Sequence, residues 1–169
     1  MLTAEFSKSA SPWFLVSQET VSDLTDLGGE WAREGFTVRF VRGQKMLTEA
    51  AMFDEVAAAL QFPYYFGENW AAFDECLSDL EWLPAGRGYV VVILNALNVL
   101  GNEVGDRLQA LVHSIVDAGR EWSEPVNRGE SWDREAIPFH VVLQESPDQR
   151  GSVCTRWSEA GAEFGPINM

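Results

Sequence analysis

Residues 89–94 read YVVVIL, six apolar side chains in a row, four of them β-branched. A run with no polar alternation has no wet face. It fits the middle of a parallel sheet, where helices cover both surfaces, better than the edge of an open antiparallel one. Parallel neighbours need long crossovers, so helices should stand on either side of this run.

The chain supplies them. WFLVS (13–17) and PFHVVLQ (138–144) read as further strands, and FTVRFV (36–41) alternates as a strand with one wetter face does. Residues 20–34 place Val21, Leu24, Leu27 and Trp31 at helical spacing. Gly28 and Gly29 weaken that helix by roughly 1 kcal/mol each relative to Ala, and Gly35 should end it. A second helix is expected from Thr48, with Ala51, Met52, Val56, Ala59 and Leu60 along one face and Pro63 as its stop. A third should run from Asn69, a good N-cap, to Leu80, with Trp70, Phe73, Leu77 and Leu80 as its apolar stripe. A long one follows over 102–122, with Val104, Leu108, Leu111, Val112 and Ile115 turned inward. The expected class is α/β: a three- to four-stranded, mostly parallel sheet packed with helices. The first ten residues read as loose and 123–137 as polar and turn-rich. Residues 144–169, with Pro147, Gly151, Gly161, Gly165 and Pro166, read as a tail with one helical turn near Trp157.

The 169 residues suit one domain, and 46% hydrophobic content with seven Trp is enough for a real core. Acids outnumber bases 26 to 12, a formal charge of -14. That charge repels nucleic acid and anionic membrane and favours basic protein partners. Cys76 and Cys154 form no CxxC or metal-like cluster, which points to a reducing compartment. The start lacks a basic segment followed by a long apolar run, and YVVVIL is too short to span a bilayer. A cytoplasmic protein is expected.

Signs of catalysis are sparse. His113 falls in the long helix and His140 in the last strand, both positions where a structural role is the commoner one. Cys76 sits beside an apolar stripe, as a buried and inert thiol would. There is no P-loop, dinucleotide fingerprint or GxSxG elbow. No enzyme, cofactor or metal is expected.

The acids are more telling. Between Lys45 and Arg87 there is no Lys or Arg, but there are Glu49, Asp54, Glu55, Glu68, Asp74, Glu75, Asp79 and Glu81. These eight carboxylates read as a one-sign field without a counter-ion over two helices and the loop between them. Glu68, Ala71, Glu75, Ser78 and Asp79 are expected on one row, opposite Phe73, Leu77 and Leu80. Tyr64, Tyr65 and Phe66 precede Gly67; three adjacent aromatics cannot all point inward, and Tyr beside acids resembles the composition of binding hot spots. An ordinary solvated face is the plainer reading of the acids.

Pro63, Tyr65, Phe66, Gly67, Glu68 and Asn69, followed by Glu75, Cys76 and Leu77, resemble the signature of the barstar family of ribonuclease inhibitors. The order of elements from Phe36 to Leu143 agrees. The resemblance divides the chain into a strand–helix extension packed on the core (1–35), a barstar-like domain (36–143) and a tail (144–169). It implies binding, not catalysis: an inhibitor or immunity protein, of toxin–antitoxin type, blocks the active site of a basic nuclease. That nuclease is of extracellular or toxin kind, and carboxylates replace substrate phosphates at its active site. The residues implied are Tyr65, Glu68, Asp74, Glu75 and Asp79, with Asp117 of the long helix. Glu75 takes the place of a family aspartate. Ala71 stands where the family has another, and Asp74 where it has a contact aromatic. The alternative is an acidic interaction or scaffold module of the same fold with no nuclease target.

Overall fold

The computed structural model describes residues 2–165. Four parallel strands, β1 (Phe14–Ser17), β2 (Thr37–Arg42), β3 (Tyr89–Leu94) and β4 (Phe139–Gln144), lie in the order β1-β4-β3-β2. The unbroken apolar run is β3, flanked by β2 and β4. Val90 stands opposite Val38 on one side and His140 on the other. The alternation of β2 and the added strand β1 both belong to sheet edges.

One sheet face carries Phe14, Val16, Val41, Tyr89, Val91, Ile93, Phe139, Val141 and Leu143 and holds the larger core. Over it lie α3 (Glu49–Leu60), α4 (Trp70–Asp79), α5 (Arg107–Ser123) and α6 (Arg150–Glu159), with Phe53, Phe73, Ile115, Trp122 and Trp157 buried among them. The other face, with Leu15, Val90, Val92 and Val142, is closed by α1 (Leu2–Phe6) and α2 (Val21–Arg33) through Phe6, Leu24 and Trp31. In α2 the glycine pair does not interrupt the helix. A Cβ on Gly28 would fall 2.5 Å from Cζ of Phe40, so its absence lets α2 lie close on β2.

Several expectations change. The N-terminal segment is not loose: it forms α1, and Phe6 is fully buried with its ring 4.7 Å from that of Trp31. The tail carries a ten-residue helix, not one turn. Trp157 is wholly buried there and donates from Nε1 to the Ala96 carbonyl at 3.2 Å; Pro166 lies outside the described residues. The long helix begins at Arg107, and Val104, expected to face inward, lies ahead of it in an exposed turn. α3 ends at Gln61, which takes the left-handed conformation at φ 55°, before Pro63 can act. No helix among the described residues is long and apolar enough to cross a membrane.

Candidate functional site

Residues 61–69 join α3 to α4, and the two helices meet through Phe53, whose ring lies 5.1 Å from Trp70 and 5.5 Å from Phe73. Asn69 caps α4 with its side-chain oxygen, which accepts from the Ala72 amide at 3.0 Å, while its Nδ2 donates to the Gly67 carbonyl. Phe73 and Leu77 bury into the sheet, Cys76 is buried beside them, and Leu80 closes the helix in a left-handed cap. Burial raises the Cys76 thiol, as do the Glu75 and Asp79 charges, so its reactive thiolate form is suppressed.

The loop separates its aromatics. Phe66 turns inward, with its ring 5.1 Å from Phe62 and 5.9 Å from Phe53. Tyr64 and Tyr65 turn outward, fully exposed and 66% exposed, with rings 5.6 Å apart edge to face. Partial desolvation pushes the Tyr65 phenol up, and the negative field of Cys76, Asp79, Glu81 and Glu75 adds to it. Glu68 does not share the helical row expected of it. It precedes the cap at φ 49°, a conformation that costs a non-glycine residue about 1 kcal/mol or more and recurs where a loop is held for function.

Asp74, Glu75 and Asp79 project from α4 into solvent, and Glu81 follows just past the cap, also exposed. Among the described residues, none of these four, nor Glu68, has a side-chain hydrogen bond or an ion pair. The idea that all eight acids of the interval lack counter-ions needs correcting at two positions. Arg42 reaches from β2 to grip Glu55 with Nε at 2.7 Å and Nη2 at 2.9 Å, which holds that carboxyl below its ordinary value. Arg107 of α5 pairs with Glu49 at 3.1 Å, and the Trp70 indole donates to the same carboxylate at 3.0 Å. Both cations come from outside the interval.

α4 packs against α5. The link includes a hydrogen bond from Trp122 Nε1 to the Leu77 carbonyl at 3.0 Å. Asp117 lies exposed on α5, where Arg120 answers it at 3.4 Å; among the described residues it makes no contact by hydrogen bond or ion pair with α4. Glu121, one turn further along α5, shares a groove with Asp79 and Glu81. Sequence reasoning did not single out Glu121. Its only signal was the four-residue step from Asp117.

The histidines do not form a catalytic pair. His113 opens onto a cleft of about 420 Å³ that Arg120 and Glu163 also line, but forms no hydrogen bond among the described residues. His140 is buried against Phe6 and Trp13, and its Nδ1 has no hydrogen-bond partner among the described residues. Burial lowers it to about 4.

No curated protein and no solved structure matches the chain. A family model described as Barstar (barnase inhibitor) matches residues 36–144, from the entry into β2 to the end of β4, and so spans the capped α4, its loop and the paired α5. With that match over more than half its length, the chain belongs to the barstar family of nuclease inhibitors.

Proposed function

We propose that the chain inhibits a basic ribonuclease by seating the outer face of α4 and the 64–68 loop in its active site. The observation that carries this reading is the set of exposed carboxylates with no cation of their own: Glu68, Asp74, Glu75 and Asp79. The enzyme's Arg, Lys and His side chains, which meet substrate phosphates, would pair with them instead. Because Asn69 and the buried stripe of α4 fix these acids before contact, little ordering is left to do on binding, and the unbalanced charge speeds encounter. Tyr65, and Tyr64 beside it, offer ring faces where nucleobases would stack. Asp117 contributes from the side, weakened by Arg120. Ala71 leaves one family position uncharged, so the target differs at the cation facing it, and Asp74 adds a charge one residue before Glu75.

The test is inhibition of RNA cleavage by purified basic ribonucleases: barnase, and nucleases encoded beside this chain. The expected result is stoichiometric inhibition whose association rate falls as salt rises. Glu75→Lys should remove it while the melting temperature stays unchanged. If wild type and Glu75→Lys inhibit equally, the site is misplaced. If no basic nuclease is inhibited, the chain is an acidic interaction module and the proposal fails.

A further inference from the structure

Beyond α5 the chain does not return directly to the sheet. Residues 124–138 form a closed loop between Ser123 and Phe139. Val126 and Arg134 exchange backbone hydrogen bonds at 2.8 and 3.0 Å. The Asp133 carboxylate accepts from the amides of Arg128 and Gly129 at 2.8 and 2.7 Å. Arg134 fastens the loop to the helix. Its guanidinium lies 4.5 Å above the Trp122 ring and donates to the carbonyls of Glu121, Trp122, Glu124 and Glu135. This is a fixed structure, not a slack linker, yet it holds Trp132 at 62% exposure. A fixed, exposed indole offers a ring face to a partner, and tryptophan is among the side chains enriched at binding hot spots.

Trp132 lines a groove of about 570 Å³ together with the end of α4. Tyr89, Trp122 and Ile137 lie in its lining, and Asp79, Glu81 and Glu121 add three carboxylates. The one cation in the lining is Arg134, which the loop's own carbonyls and Trp122 already engage. The groove thus joins the exposed Trp132 ring to carboxylates without an ion pair among the described residues, and Asp79 makes it continuous with the acidic face of α4.

We propose that this groove receives an arginine of the nuclease partner, its guanidinium stacked on Trp132 and paired with Asp79, Glu81 and Glu121, as a second contact beside the α4 face. Arginine fits better than lysine because a planar guanidinium can lie on an indole and present its edge to carboxylates together. The inference rests on the inhibitor reading above and extends its surface from Asp79, which both share, to Glu81, Glu121 and Trp132.

Two measurements test it. The first needs no nuclease. An acetylated Gly-Arg-Gly amide is titrated into the ¹⁵N-labelled chain, with the citrulline peptide as an uncharged control of the same shape. The arginine peptide should shift the Trp132 indole signal saturably and the citrulline peptide should not; Glu81→Gln should weaken the response. Equal responses to the two peptides overturn the proposal. The second uses the ribonuclease that wild type inhibits. Trp132→Ala should weaken binding about tenfold, and Trp132→Phe, which keeps a ring, should restore most of it. Unchanged melting temperatures show that the loop still folds. If Trp132→Ala binds as wild type does while Glu75→Lys fails to bind, the groove is no contact and the α4 reading survives. If no ribonuclease binds wild type, the functional reading fails separately, and the peptide titration still decides whether the groove takes arginine.

Discussion

α3 and α4 are neighbours of similar length, both acidic, drawn from one stretch of sequence without a base. Their acids nevertheless do different work. On α3, Glu49 and Glu55 draw cations from α5 and β2, and tie the helix to the rest of the molecule. On α4, Asp74, Glu75 and Asp79 have no such partners among the described residues. Glu75 and Asp79 repel each other one turn apart, and Asp79 occupies the last residue of the helix, where the dipole already concentrates negative charge. With 12 bases for 26 acids, where the cations go is what separates structural acids from available ones. Two of the three acids of α3 hold the fold, Asp54 being exposed and unpaired among the described residues, while none of the three on α4 does so.

The comparison breaks most clearly at Glu75. Glu75→Lys should weaken binding to an inhibited ribonuclease by about 100-fold or more, the scale seen when a desolvated charge pair loses a member. Its thermal melt should not move. A fall in melting temperature would mean that Glu75 belongs with the acids of α3. The measurement is paired titration calorimetry and thermal denaturation.

Acid titration sharpens the contrast once His140 is separated out. The unfolded imidazole titrates near 6.5 and the folded one at about 4 because it is buried, so the unfolded chain takes up the proton first. Stability is therefore full above pH 6.5 and falls as pH drops toward 4, by something on the order of 3 kcal/mol. In a His140→Leu background that slope should disappear. What remains at lower pH should include Glu55, whose folded value is depressed: its contribution is complete above the ordinary carboxylate range and is lost as pH falls through the folded value. Denaturant midpoints measured across pH separate the two.

Smaller effects should differ in sign between the helices. Glu55→Ala should destabilise by about 1 kcal/mol, or roughly 2–4 °C in melting temperature, through loss of a half-exposed bidentate pair. Asp79→Asn should do the reverse, raising stability by about 0.3 kcal/mol through relief of like-charge and dipole repulsion. If both changes destabilise, the distinction between the helices is unfounded.

The parts of this molecule that could be read from sequence were those fixed by near neighbours. Asn69 as a cap, the Phe73–Leu77 stripe and the apolar run of β3 each declare themselves within a few residues. What escaped depends on distant partners. Among the described side chains of α1, Phe6 is the buried apolar anchor, and its partners Trp31 and His140 are far along the chain. α6 buries only Val153 and Trp157, too few positions to show a period beside Gly151. The salt links of Glu49 and Glu55 are long-range as well, so a count of local charge made every acid of the interval look free. At the site, the outward turn of Tyr64 was unreadable because three adjacent aromatics require at least one to face water but do not say which or how many.

Beyond α6 the described chain returns to the outer margin of β1. Phe164 forms a parallel bridge with Phe14 on β1, and the Gly165 amide donates to the Phe14 carbonyl at 3.3 Å. A free strand margin invites the same margin of another molecule to zip onto it. Here the returning C-terminal segment occupies part of that margin before a second molecule can. Shortening the protein from about residue 160 would strip this guard and favour self-association through β1.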